Sequence, residues 1–107
     1  MRRLAQLLRD DGFVVYTAQD VRDARAVADE KPLDAALIDV RLPDGDGRVL
    51  ADDWLARFPA LHVIFVTIYP ELIPLASAGA RHTSMTKPVD YARLVSNLRS
   101  FAERRPR

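Results

Sequence analysis

The sequence predicts an α/β fold in which helices cover both faces of an open parallel sheet. Two patterns predict it. Residues 35–38 and 62–66 are continuously apolar and of strand length, as expected for parallel strands that are buried on both faces. Segments with apolar residues at helical spacing separate these runs, so strands and helices alternate along the chain. Such alternation requires right-handed crossover connections between neighbouring parallel strands.

The first third of the chain predicts two helices and two strands. An opening helix occupies residues 1–11, and the β-rich run at 13–16 is predicted to form a strand. Asp20 is an N-cap residue for a helix that ends at Pro32, because proline has no amide hydrogen to continue the helix. Residues 35–38 are the next strand.

The remainder of the chain repeats this alternation. A turn-rich segment at 42–47 leads into a helix for which Asp46 is the predicted N-cap. That helix ends at Pro59, and a strand is predicted at 62–66. A short helix that starts near Pro74 and ends before Gly79 follows, and then a weak strand at 83–86. Asp90 caps the last helix, whose apolar stripe consists of Tyr91, Leu94, Val95, Leu98 and Phe101.

Length and composition indicate one compact domain over residues 1–107. The 107 residues are 49% apolar and 29% charged, and the absence of cysteine excludes thiol catalysis, cysteine-ligated zinc and disulfides.

Sixteen basic and fifteen acidic residues argue against direct nucleic-acid binding. No apolar run approaches the roughly 20 residues that cross a bilayer, so we expect a cytoplasmic protein. We expect residues 102–107 to form a basic tail and the chain to have no effector domain.

Three chemically active side chains follow the predicted strands. Asp39, Thr67 and Lys87 come directly after successive strands, and parallel strands present their carboxyl ends at one edge, where ligands bind. Lysine offers a compact positive charge, threonine a donor that can reorient, and aspartate a nucleophile or metal ligand. Together they indicate a site for an anionic group or a metal-bound phosphate, whereas a simple lysine–carboxylate salt bridge is the alternative.

The order and spacing of these residues resemble the receiver domain of two-component response regulators. Asp39 is followed by Pro43 after four residues and by Gly47 after eight, which is similar to the phosphoacceptor segment of that family. Thr67 resembles its switch hydroxyl, and Lys87-Pro88 resembles its Lys-Pro signature. The resemblance covers essentially the whole chain. It implies a flavodoxin-like (CheY-like) doubly wound sheet in three α/β/α layers, with strand order 2-1-3-4-5.

The resemblance also implies chemistry. Asp39 would accept a phosphoryl group from a histidine kinase or a histidine phosphotransfer protein, Lys87 would contact that group, and Thr67 would move toward it. A cis peptide bond before Pro88 would aim Lys87 into the site. Mg²⁺ is the implied cofactor, with Asp39 and the backbone carbonyl of Arg41 as ligands. A downstream protein would receive the signal, so the chain is expected to be a signalling module and not an enzyme.

The sequence departs from the family pattern at its start. The family opens with an apolar strand that ends in two acidic residues, whereas Asp10 and Asp11 lie at the far end of the opening helix here. Either a start further upstream supplies that strand, or this is a degenerate receiver that begins at Met1. Without the strand, the runs at 13–16 and 35–38 pair directly or leave open edges that favour a homodimer. Ser84 occupies the aromatic switch position.

Two functions therefore follow from the sequence. The first is a stand-alone receiver that is phosphorylated on Asp39 in a phosphorelay. The alternative is a degenerate, non-phosphorylated receiver that serves as a protein-interaction or dimerisation module. A flavodoxin-like ligand-binding protein is a more remote third interpretation.

Overall fold

A computed structural model of the chain describes residues 2–73 and 81–104. Its elements, in chain order, are α1 (Arg2–Asp10), α2 (Val21–Glu30), β1 (Ala35–Asp39), β2 (Arg41–Leu42), β3 (Gly45–Asp46), α3 (Gly47–Arg57), β4 (His62–Thr67), a 3₁₀ turn (Pro70–Leu72), β5 (His82–Thr86) and α4 (Tyr91–Arg104). The alternation of helices and strands confirms the predicted α/β class.

The main sheet has three parallel strands in the order β1-β4-β5. In its register Asp39 lies opposite Val66, and Thr67 lies opposite Thr86, so all three strands end at the same edge. The central strand β4 is buried from Val63 to Thr67. A continuous apolar run thus forms the interior strand, as expected for a parallel strand that packs on both faces.

The alternating side chains of β4 divide the core into two clusters, one on each face of the sheet. Val63 and Phe65 pack with residues of α2 and α3, among them Leu50 and Trp54. Ile64 and Val66 pack in the opposite cluster with residues of α1 and α4, including Leu8, Leu94, Val95 and Leu98. This gives the three-layer flavodoxin-like arrangement, with two of the helices in residues 2–73 and 81–104 on each face.

Aspartates start three of the helices. Asp20 accepts the N–H of Asp23, Asp46 accepts the N–H of Arg48, and the Asp90 side chain accepts the N–H of Arg93. These bonds satisfy amide groups that have no partner within a first helical turn. All three caps were predicted from the sequence.

The predicted strand at 13–16 does not form. Phe13 and Val15 pack into the core beside α1, while Val14 is 81% exposed. Buried and exposed side chains thus alternate along this segment, although it is not a strand. Among the described residues no strand pairs with this segment, nor with the free edge of β1. A β-strand requires a hydrogen-bonded neighbour, and the family order 2-1-3-4-5 places another strand between these two segments. Direct pairing of the two, one of the alternatives expected, is therefore absent.

The predicted helix from Pro74 to before Gly79 lies outside the described residues. The structure begins its 3₁₀ turn earlier, at Pro70, and β5 at His82. No helix among residues 2–73 and 81–104 is long and apolar enough to cross a membrane.

Asp44 connects the β2–β3 hairpin to the start of α2. Its two carboxylate oxygens accept the N–H groups of Val21 at 2.8 Å and Arg22 at 3.2 Å. The hydrogen bond from Val21 is the main cause that lowers the pKa of Asp44 from its ordinary value of 3.8. The folded state therefore favours the ionised carboxylate.

We predict that Asp44→Asn destabilises the protein in a pH-dependent way. Because the folded pKa is depressed, the contribution of Asp44 is present above its unfolded value of 3.8 and is lost as the pH falls through the lower folded value. The difference in unfolding free energy between wild type and variant, measured in urea, should be largest at about pH 7 and should narrow toward about pH 3. A difference that stays constant across this range would contradict the prediction.

Gly47 allows α3 to start against the backbone of β1. A Cβ atom on Gly47 would lie 2.0 Å from the Asp39 carbonyl oxygen and 2.8 Å from Cγ2 of Ile38. The Gly47 N–H donates to the Val40 carbonyl at 2.8 Å, which fixes this close approach. Steric contact with the backbone of β1 therefore explains why the position eight residues after Asp39 is a glycine in this chain.

We predict that Gly47→Ala lowers the unfolding free energy by about 3 kcal/mol, because backbone atoms must move to admit the methyl group. Gly45→Ala is the matched control, since its Cβ would meet only a side-chain methyl of Val21 at 3.2 Å. Urea denaturation of both variants measures the effect. Equal unfolding free energies for Gly47→Ala and wild type would refute the steric argument.

Candidate functional site

The carboxyl edge of the sheet brings Asp39, Thr67 and Lys87 together. Asp39 is the last residue of β1, Thr67 is the last residue of β4, and Lys87 directly follows β5. The backbone N–H of Lys87 donates to the Thr67 carbonyl at 3.0 Å, which holds the end of β5 against β4. Parallel pairing therefore assembles residues that are far apart in sequence.

An ion pair joins the acid to the lysine. The Lys87 ammonium lies 2.6 Å from Asp39 Oδ2, and the two side chains remain 40% and 29% exposed. The other carboxylate oxygen, Oδ1, lies 3.4 Å from the backbone nitrogen of Arg41. The peptide bond between Lys87 and Pro88 is cis. The site is thus a neutralised carboxylate that solvent or a partner can reach.

The Thr67 hydroxyl is buried beneath this surface. Thr67 is 2% exposed, and its Oγ1 accepts the N–H of Tyr69 at 2.9 Å. Within the described part of the chain this hydroxyl makes no hydrogen bond to Asp39 or Lys87. Thr67 therefore lies next to the ion pair in the sheet, but its hydroxyl is hydrogen-bonded to the backbone of Tyr69.

The β2–β3 hairpin frames the other side of the site. Arg41 pairs with Asp46 across the hairpin, and Pro43 lies in its turn. The Arg41 guanidinium lies 4.5 Å from the centre of the Tyr69 ring, a cation–π distance. This contact connects the loop after β1 to the loop after β4 across the mouth of the site.

Arg48 makes a second connection to the same loop, and nothing in the sequence pattern singled it out. One guanidinium nitrogen donates to the Leu72 carbonyl at 3.1 Å, while another lies 2.7 Å from Asp46 Oδ2. The hydrogen bond from Arg48 is the main cause that lowers the pKa of Asp46. Arg48 and Tyr69 matter through contacts between distant loops, which no local spacing reveals.

Ser84, at the predicted switch position, is half-buried in β5 and lies opposite Phe65 in the strand register. A serine has no ring that could rotate between buried and exposed positions. Any coupling from Thr67 to the far side of β5 must therefore use the backbone or other residues.

Asp39 is the carboxylate that would hold Mg²⁺ at this edge of the sheet. Across residues 2–73 and 81–104, no three His, Asp or Glu side chains gather where they could hold a metal ion. Mg²⁺ requires octahedral oxygen ligands with carboxylate charge, and both oxygens of Asp39 already face nitrogen atoms, those of Lys87 and Arg41. The implied Arg41 carbonyl ligand stays a prediction.

The sequence matches the response regulator receiver domain family over residues 1–99. It is 32% identical over 93 residues to the photosynthetic apparatus regulatory protein RegA of Cereibacter sphaeroides, a match that covers 84% of this chain and 50% of RegA. It is 40% identical over 81 residues to the response regulator protein PilR of Pseudomonas aeruginosa, covering 73% of this chain and 18% of PilR. The chain thus spans half or less of these relatives.

The fold agrees with solved receiver structures. The response regulator TrrA of Thermotoga maritima, crystallised in complex with Mg²⁺ and BeF, superimposes with a TM-score of 0.79 over 94% of this chain and 87% of that one, at 19% sequence identity. That likeness concerns the fold alone. The family match over residues 1–99 shows that this chain belongs to the response regulator receiver domain family.

Proposed function

We propose that this protein accepts a phosphoryl group on Asp39 from a phosphohistidine of a partner kinase or phosphotransfer protein in two-component signalling. The observation that carries the proposal is that Asp39, Thr67 and Lys87 meet at one carboxyl edge of the sheet, with 2.6 Å between Asp39 Oδ2 and Lys87 Nζ. Family membership supports the same chemistry. The partially exposed carboxylate supports access by a donor that is itself a protein.

The proposed reaction is a transfer between two protein side chains. An oxygen of the Asp39 carboxylate bonds to phosphorus while the P–N bond of the phosphohistidine breaks. The electron pair of that bond stays on the imidazole nitrogen, which takes up a proton as it leaves. The product is an acyl phosphate on Asp39 and a neutral histidine on the donor.

Lys87 is the group that meets the new charge. Its ammonium now neutralises the Asp39 carboxylate, and the same flexible stem allows it to pair with a phosphoryl oxygen after transfer. Thr67 supplies a hydroxyl that the loop after β4 must first release. Mg²⁺ held by Asp39 and the phosphoryl oxygens would neutralise charge on those oxygens.

The wider assignments remain proposals of the same kind. We propose a cytoplasmic module that receives phosphate from a histidine kinase or phosphotransfer protein and passes the signal to a downstream protein. The absence of an effector domain beside the receiver over residues 1–107 stays a prediction, because the matched relatives are at least twice as long as the matched segment. Formation of a homodimer also stays a prediction.

We predict that incubation with a small phosphodonor such as phosphoramidate adds the mass of one phosphoryl group and that Asp39→Asn abolishes the addition. Intact-mass spectrometry measures both, and mapping of the modified peptide identifies the residue. Asp52→Asn is the matched control, because Asp52 is an exposed acid on α3. Wild type that gains no mass with or without added Mg²⁺ would favour the alternative, a non-phosphorylated interaction module.

We predict that Lys87→Gln slows this modification by about tenfold, because the amide offers no positive charge to the phosphoryl oxygens in the transition state. The chain holds a second lysine, Lys31, at the end of α2, so Lys31→Gln is the matched control for loss of one lysine charge. The rate of mass gain under the same donor concentration is the readout. Equal rates for Lys87→Gln and wild type would remove Lys87 from the chemistry.

A further inference from the structure

The loop after β4 is folded back on itself immediately beyond the Thr67 hydroxyl. The Tyr69 N–H donates to Thr67 Oγ1 at 2.9 Å, and the Leu72 N–H donates to the Tyr69 carbonyl at 3.0 Å. The hydroxyl and the 3₁₀ turn therefore form one hydrogen-bonded unit. Rotation of the Thr67 hydroxyl toward Asp39 breaks the hydrogen bond from the Tyr69 amide.

Arg48 holds the far end of this unit from the other side of the site. Its Nη1 donates to the Leu72 carbonyl at 3.1 Å. Arg48 is the second residue of α3, the helix that starts against the Asp39 carbonyl. The bond thus connects the loop that carries the hydroxyl to the backbone that carries the acceptor.

The Arg48 guanidinium is held in place by Asp46. Nε lies 3.1 Å from both Asp46 oxygens, and Nη2 lies 2.7 Å from Oδ2. Asp46 in turn caps α3 through the backbone N–H of Arg48 at 2.8 Å. The Asp46 carboxylate therefore orients the guanidinium while Nη1 reaches the Leu72 carbonyl.

We propose that Arg48 is a positioning residue, a latch that keeps residues 68–72 in the arrangement in which the Tyr69 amide engages the Thr67 hydroxyl. Release of the Leu72 carbonyl from Arg48 precedes any movement of the hydroxyl toward a phosphoryl group on Asp39. The inference rests on the proposed phosphoacceptor function. It concerns a residue that touches neither Asp39 nor the phosphoryl group.

The latch depends on geometry as well as charge. A guanidinium presents several donors in a rigid plane and can bind the Asp46 carboxylate and the Leu72 carbonyl at once. A lysine ammonium in this position keeps the charge but has no second arm that reaches across. Arg48→Lys is therefore expected to release the loop much as Arg48→Gln does.

Amide hydrogen exchange in the unmodified protein tests the latch directly. We expect the amides of Tyr69 and Leu72 to exchange about threefold faster in Arg48→Gln and Arg48→Lys than in wild type, with β4 unchanged. Arg57→Gln is the matched control, since it removes an arginine of the same helix whose partners, Asp53 and Asp29, lie away from the loop. Wild-type exchange at both amides, or equal acceleration in β4, would overturn the proposal.

The rate of modification by phosphoramidate links the latch to the chemistry. Phosphorylation of Asp39 favours the loop released from Arg48, and a variant that lacks the Arg48 contact reaches that released loop more often. Arg48→Gln should therefore gain mass about threefold faster than wild type and Arg57→Gln. An unchanged rate despite faster loop exchange would overturn the role of the latch in phosphorylation. If wild type itself gains no mass, the proposed function fails, while the exchange measurement still decides whether Arg48 holds the loop.

Discussion

The parallel register of three strands is the constraint on which the site depends. β4 is buried along almost its whole length and pairs with β1 on one side and β5 on the other. Because Asp39 lies opposite Val66 and Thr67 lies opposite Thr86, the acid, the hydroxyl and the lysine reach one edge together. A shift of one residue in either pairing would turn the strand's side chains to the opposite faces of the sheet and separate these groups.

A second close contact joins the acceptor to the elements around it. Gly47 brings the start of α3 within van der Waals reach of the Asp39 carbonyl, and the hairpin between them presents Asp44 to α2. Arg41 and Arg48 then extend from these same elements to the loop after β4. The acid therefore lies at the centre of a connected set of contacts that extends to the loop after Thr67.

Most of the elements and the three site residues could be predicted, because the sequence patterns that indicate them involve only neighbouring residues. Apolar runs marked the two best strands, Asp20, Asp46 and Asp90 marked helix starts, and strand ends marked the three site residues. The strand predicted at 13–16 was wrong, because a run of β-rich residue types does not show whether a pairing partner is present. Arg48 was missed since its partner, Leu72, is distant in sequence.

The sequence by itself determined the apolar strands at 35–38 and 62–66, the helix caps and the residue types at the strand ends, because periodicity, capping and turn chemistry act over a few neighbouring residues. Only the tertiary structure decided that Lys87 Nζ and Asp39 Oδ2 lie 2.6 Å apart, that Thr67 is engaged by Tyr69, and that Arg48 reaches the loop beyond it. These contacts join residues brought together by strand pairing and helix packing, and their distances follow from backbone geometry that no local pattern encodes.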